Sequence, residues 1–294
     1  MKFIQKIFYI FISIYFLLLL LYFIFNKQIF YHTITNTIIL WFKKVLPAIS
    51  ISYIISLYLY HYPLISYILY PILKKVFNFE NHKACSLYLV SLLVGNPTSS
   101  KLITDAVNNN EISVNEGNRL LGFSSFVSGI FIYSIFDFNL FLIIILIELI
   151  ISIILAQFRT NKKIIHININ NTNNKSFLTL YFNIVNNLPT LLLSILTSMI
   201  ICNLFSITII NDYFKSLFEL TMGITIINNL PHSFTTILTL FILLISQGFA
   251  IILQVYWVTK KTSLSFTNFI KYRIYAVLIS LISLSIIYLF VFFL

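Results

Sequence analysis

Residues 91–129 read SLLVGNPTSSKLITDAVNNNEISVNEGNRLLGFSSFVSG. An apolar run enters, breaks at Gly95-Asn96-Pro97, and gives way to small hydroxyl residues including Ser99 and Ser100, then Lys101 and Asp105. Proline has no backbone N–H to donate and disfavours helix in the residue before it. Freed backbone groups at membrane depth are tolerated only where protein or a polar cavity satisfies them. The stretch therefore predicts a re-entrant helical hairpin with arms 84–94 and 98–109 and its tip near 96–100. A proline-kinked span is the alternative. Asn108-Asn109-Asn110 makes the next turn, and Ser113-Val114-Asn115-Glu116 has the spacing of a capping box, which starts a helix at Ser113. That helix is expected to run through Arg119 to about Phe136. Ser124, Ser125, Ser128 and Gly129 give it a small polar flank, which either lines a site or permits close helix contact.

The rest of the chain makes such a polar intrusion expensive. Of 294 residues, 59% are hydrophobic and 9% charged, against about 25% charged in soluble domains. Uncharged runs of the roughly 20 residues that cross a bilayer recur. The class is all-α, a polytopic helical membrane protein. The net charge of +11 lies between the apolar runs, the pattern of positive-inside topology, so the partner is the lipid bilayer and not nucleic acid. Cys85 and Cys202 stand alone in apolar contexts, and no spacing suits a disulfide or zinc. No G-x-S-x-G, H-E-x-x-H or paired histidine occurs; His61, His82, His166 and His232 are scattered. We expect no enzyme, no metal and no cofactor.

In chain order, Lys2 and Lys6 precede the uncharged run Phe8 to Asn26. No small-x-small cleavage site follows it, so it reads as a retained span with a cytoplasmic N-terminus. Residues 28–46, with Trp41 beside Lys43 and Lys44, suit an interfacial helix. Leu46-Pro47 opens a span to about 61, and Lys74, Lys75 and Lys83 form a basic cluster. After a turn at Asp137, residues 138–157 form a span whose charge is Glu148. A mid-span carboxylate costs about 3 kcal/mol, which makes Glu148 a candidate coupling group, with a hydrogen bond to a neighbouring helix as the alternative. Arg159 to Lys175 reads as a basic cytoplasmic linker. The expected organisation is an anchor and interfacial segment at 1–40, a first repeat at 41–157, a linker at 158–176 and a second repeat at 177–294.

The second half matches the first in outline. Asn186-Asn187-Leu188-Pro189 parallels Lys43-Lys44-Val45-Leu46-Pro47, a polar pair leading into Leu-Pro and a span at 189–210. The uncharged stretch Leu220 to Thr259 is interrupted at Pro231 and Ser246-Gln247-Gly248, followed by Gln254. Gln247-Gly248 takes the place of Gly95-Asn96. Leu264-Ser265 and Lys271 are spaced as Ile112-Ser113 and Arg119, and 274–292 is a last span. Three expected crossings separate the two starts, so the copies are inverted. The expected fold is two inverted repeats, each with a re-entrant or broken-helix hairpin, a transporter arrangement with its site where the interruptions meet.

These residues resemble a family. The order Gly95-Asn96-Pro97-Thr98-Ser99-Ser100-Lys101, Asp105, Glu111-Ile112-Ser113, Glu116-Gly117-Asn118-Arg119-Leu120-Leu121 and Ser128-Gly129 resembles the Gate, or nucleoside-recognition, domain of YlbJ-type sporulation integral membrane proteins. Their pattern is G-Y-P-x-G-A-K, an acidic residue, G-x-I-S, E-A-x-R-L-L and a seryl-glycyl end. Leu220-Thr221-Met222-Gly223, Ser246-Gln247-Gly248 and Leu253-Gln254-Val255 resemble the second-half pattern, with the acidic residue displaced to Glu219, a second candidate coupling carboxylate. Arg273 lies where the family has an arginine in its last helix. Asn96 replaces a tyrosine, Ser99 and Gln247 each a glycine. The likeness covers about 40–290. It implies transport of a small polar or anionic solute during endospore formation in a Firmicute, in the mother-cell or outer forespore membrane, with dipicolinate as candidate cargo. A non-transporting scaffold for other sporulation membrane proteins, a homo-oligomer, and a nucleoside or metal-ion transporter are the other readings it leaves.

The site residues follow from both lines. Lys101, Arg119 and Arg273 would supply positive charge, and hairpin-tip N–H groups favour anions. Lys101 is also four residues from Asp105 and Arg119 three from Glu116, the spacing of ion pairs on a helix. The hydroxyls of Ser99, Ser100, Ser124, Ser125 and Ser128 and the amides of Asn96, Gln247 and Gln254 would orient the solute, with Gly95, Pro97 and Gly248 shaping the breaks.

Overall fold

The computed structural model describes residues 2–158, 177–231, 233–260 and 262–293. The linker 159–175, and with it His166, lies outside the described residues, as does His232. Every regular element among the described residues is helical. Four helical runs among them are long and apolar enough to cross a membrane: Lys27–His61, Phe138–Ala156, Leu178–Ser206 and Phe234–Thr259.

After α1 (Lys2–Phe25), the first of these runs is continuous. α2 (Lys27–Leu40) passes through a π-helical turn, Trp41–Val45, into α3 (Leu46–His61). The expected interfacial helix and separate span are thus one helix. Pro47 lacks the N–H that would close the turn before it, and its ring crowds the carbonyl four residues back. Widening that turn to π geometry absorbs both defects without ending the helix. In the same way α10 (Phe177–Ser206) begins well before Pro189 and carries it inside. The two long helices run antiparallel. Asn183 and Asn187 lie with Tyr60 around one pocket, while Asn203 donates to Thr37 Oγ1 at 2.9 Å. These contacts define two ends of the molecule, called here the Tyr60 end and the Thr37 end.

From the Tyr60 end, α4 (Leu64–Phe77) leads to α5 (His82–Val94) and α6 (Thr98–Asn108). The arms fall where the sequence put them, and they double back. Asn81, which caps α5, donates to the Glu111 carbonyl at 2.9 Å, and Glu111 N–H returns to Ala106 O at 2.8 Å. Both feet of this hairpin therefore stand at Glu111. The following helix departs from expectation: α7 (Val114–Phe123) stops, and α8 (Gly129–Ile135) starts after a break at 124–128. Ser124 Oγ bonds back to Leu120 O at 2.6 Å, and Ser128 Oγ caps α8 by accepting from Phe131 N–H. Such side chains offer the backbone an alternative to helix, and here they end one helix and begin another. α9 (Phe138–Ala156) then returns to the Tyr60 end.

Beyond α10, the short α11 (Asp212–Ser216) and α12 (Leu220–Asn228) pack so closely that a Cβ on Gly223 would lie 2.1 Å from Ser216 O. They form a second hairpin. Its open end is marked by Tyr213, which lies close to the Ser233–Thr236 segment that follows α12. α13 (Phe234–Ser246) and α14 (Gly248–Thr259) are separated at Gln247. Unlike α5 and α6, they do not double back. α13 starts beside Tyr213, whereas α14 ends beside α15 (Phe266–Phe293), with Tyr256 and Phe266 rings 5.1 Å apart. α15 begins at the Tyr60 end, where Ser265 N–H meets Asn118 Oδ1 at 2.7 Å, and runs parallel to α7, with Tyr272 against Gly122.

Candidate functional site

Three helix breaks converge in the interior: 95–97, 124–128 and 247–248. Gly95 sits at φ +59°, and a Cβ there would lie 2.3 Å from the Ser128 backbone nitrogen. Glycine alone lets the hairpin tip press this far into the second break. Asn96 N–H then donates to Phe126 O at 3.0 Å. The Asn96 amide nitrogen donates to Ser125 O at 3.0 Å and to Gln247 Oε1 at 2.8 Å. Its oxygen accepts from Ser99 at 3.0 Å and from Ser100. Gln247 in turn donates to Ser125 O at 2.6 Å. An asparagine amide has two donors and two acceptor lone pairs, so every capacity of Asn96 is used. The bond from Asn96 to Gln247 joins residues 151 apart in sequence, and it links the two interruptions that the sequence singled out.

Backbone groups freed at the Gln247 break are satisfied elsewhere. Gln247 and Gly248 are both at φ +71°, and Phe249 and Ala250 N–H donate to Leu217 O at 3.1 Å and Phe218 O at 2.9 Å. The tip of the second hairpin thus closes the start of α14. Beside that tip Glu219 caps α12, with one carboxylate oxygen on Thr221 N–H and the other on Met222 N–H. Arg273 serves the opposite ends. Its guanidinium donates to Gly122 O near the end of α7 and, at 3.5 Å, to Ile245 O near the end of α13, and it lies 4.5 Å from the Phe126 ring centroid. A cation at two helix C-termini is favoured by charge as well as by hydrogen bonding. Arg273 is also the charge that acts on buried Glu148 across α9 and α15, and among the described residues neither Glu148 Oε1 nor Arg273 Nε has a hydrogen-bond partner.

Next to the node lies a cavity of about 50 Å³ lined by Asn96, Pro97, Ser128, Glu219, Thr221 and Gln254 among apolar side chains. That is room for a few waters. Gln254 Nε2 is held by Ser198 Oγ at 2.6 Å, while its buried Oε1 has no partner among the described residues. Outside the cavity lining, the Thr98 and Ser125 hydroxyls are likewise buried without partners among the described residues. The uncommitted group at the cavity is thus an amide oxygen.

Of the residues singled out in the sequence, the structure brings Asn96, Ser99, Ser100, Ser125 and Gln247 into one hydrogen-bonded group and sets Pro97, Ser128, Gln254 and Glu219 around the adjoining cavity. Lys101 and Arg119 are elsewhere. Lys101 pairs with Asp105 at 2.8 Å at the rim of the polar pocket at the Tyr60 end. Arg119 binds Glu116 at 2.6 Å and caps α4 through Phe77 O at 2.7 Å. With Glu116 so engaged, Ser113 N–H takes Glu80 as its acceptor instead. The pairs flagged by helical spacing are thus the ones formed. Glu80 and the Tyr60–Glu111 hydrogen bond were missed; the Asn81 cap before His82 was a legible signal for the first. Cys85 and Cys202 are buried free thiols. No family model, curated protein or solved structure matches this chain.

Proposed function

We propose that this chain is an integral membrane, transporter-like protein, and that a small polar solute passes the point where the three breaks meet. The observation that carries the reading is the Asn96–Gln247 bond and the cavity beside it, where Asn96, Ser128, Glu219, Thr221 and Gln254 stand among apolar side chains in a chain otherwise built to face lipid. Interrupted helices meeting at an interior polar site are the arrangement of inverted-repeat transporters. The inverted repeat takes a different register from the one that motif spacing suggests. α3 pairs with α10, hairpin α5–α6 with hairpin α11–α12, broken helix α7–α8 with broken helix α13–α14, and α9 with α15. Each pair runs in opposite directions between the two ends, and each hairpin enters from the end opposite its counterpart. In that register both hairpins are re-entrant, the Tyr60 end, where α9 ends and α10 begins, is the cytoplasmic side, and Ser124–Ser128, not Gly95-Asn96, is the counterpart of Gln247-Gly248.

The free Gln254 amide oxygen at the cavity suits a neutral hydrogen-bond donor, and an anion such as dipicolinate, the cargo implied by the resemblance to YlbJ-type proteins, would draw on Arg273 after its caps release. The test is dipicolinate content of spores carrying Gln254→Leu or Asn96→Ala at unchanged protein level, with Lys101→Ala as the control that should behave as wild type. A several-fold loss in the first two supports the reading; normal content in both overturns it. Full hydrogen bonding of Asn96 favours one alternative, a non-transporting scaffold in which the node is purely structural, and normal content would point there.

A further inference from the structure

Away from the node, α4 carries features that a buried or solvent-facing helix does not need. Leu64, Ile68 and Ile72 are 76%, 75% and 64% exposed. Spaced four apart, they form one apolar stripe along the helix. The stripe ends at a cavity of about 380 Å³ whose lining includes Lys74, Lys75, Asn78 and Gln157. The cavity stands at the end of a helix, where carbonyl groups would normally repel an anion. Here those carbonyls are already occupied: Arg119 takes Phe77 O and Asn78 O, and Gln157 takes Val76 O at 3.0 Å. The neighbouring carboxylates are also engaged, Glu116 by Arg119 and Glu80 by Ser113.

We propose that this cavity binds the headgroup of an anionic phospholipid, with an acyl chain lying along Leu64, Ile68 and Ile72. The two lysines would face the phosphate, and the amides of Asn78 and Gln157 suit the headgroup hydroxyls. Basic pockets at the cytoplasmic side of helix bundles are suited to such headgroups because charge and apolar contact act together. The site is independent of the solute path and stands whether or not transport is confirmed.

The test uses the full chain purified in mild detergent, with phosphatidylglycerol or phosphatidylcholine added and bound lipid counted by native mass spectrometry. Phosphatidylglycerol should be retained in preference, and Lys74→Gln/Lys75→Gln should weaken it by about tenfold or more. Lys74→Arg/Lys75→Arg should keep it, and Ile68→Ser should weaken it without loss of charge. Equal retention of the two lipids, or of phosphatidylglycerol by wild type and the double glutamine variant, overturns the proposal. Displacement of the lipid by millimolar inorganic phosphate, with Ile68→Ser behaving as wild type, overturns it in favour of a free-phosphate site.

Discussion

The breaks at Gly95-Asn96-Pro97 and Gln247-Gly248 look alike in sequence and behave differently in space. Each follows an apolar helix and holds a glycine at positive φ, +59° at Gly95 and +71° at Gly248. Yet α5 and α6 double back to Glu111, while α13 and α14 continue from one end of the molecule to the other. The difference lies in who satisfies the freed backbone. Asn96 N–H and side chain are met by carbonyls of the 124–128 break, which sits across the tip and turns the chain. Phe249 and Ala250 N–H are met by the tip of a separate hairpin, which seals the gap and lets the chain go on. A broken helix takes its angle from its acceptors.

The largest expected effect separates the two glycines. Gly95→Ala puts a methyl 2.3 Å from backbone that cannot move aside, whereas at Gly248 the nearest atom is Leu217 O at 3.2 Å. At Gly248 positive φ costs a residue with a Cβ about 1–2 kcal/mol, whereas Gly95, at φ +59° and ψ −173°, occupies a region essentially confined to glycine, and the clash adds to that cost. Thermal unfolding in detergent should show a loss above about 3 kcal/mol for Gly95→Ala and about half that for Gly248→Ala. Equal losses would mean that both tips are equally confined.

Next comes the bond that joins them. Asn96→Ala and Gln247→Ala should each cost about 1–3 kcal/mol, because each strands buried partners. The double variant should cost less than their sum by about 1 kcal/mol, measured as a double-mutant cycle. Strict additivity would separate the two breaks energetically. The smallest effect belongs to the charged pair outside the node. Lys101→Ala removes a part-exposed ion pair and should shift stability by about 0.5 kcal/mol or less. A shift of several kcal/mol would place Lys101 in the core machinery after all.

How much of this could be read in advance follows a physical division. The arms of the first hairpin were legible to within two residues, because Pro97 removes a donor and Asn108-Asn109-Asn110 marks the following turn. The Gln247 interruption and the Lys101 and Arg119 pairs were legible for equally local reasons. The break at 124–128 was not, since Ser-Ser-Phe-Val-Ser is compatible with helix when nothing else needs its carbonyls. Nor were the two Leu-Pro helices, where a wider turn accommodates proline at small cost. Arg273 was flagged as an anion contact and proved to cap two helix ends whose sequence positions, Gly122 and Ile245, lie far from it.

By itself the sequence determined the all-helical class with runs long and apolar enough to cross a membrane, the places where helices must yield and the local ion pairs. These depend on residue type and on spacing along one helix, which short-range forces fix. Tertiary structure alone decided which way each broken helix turns, which break faces which, and that Asn96, Ser125 and Gln247 share one hydrogen-bonded group. Those outcomes depend on buried backbone groups finding partners, and in a packed apolar interior the partners come from wherever the fold brings them.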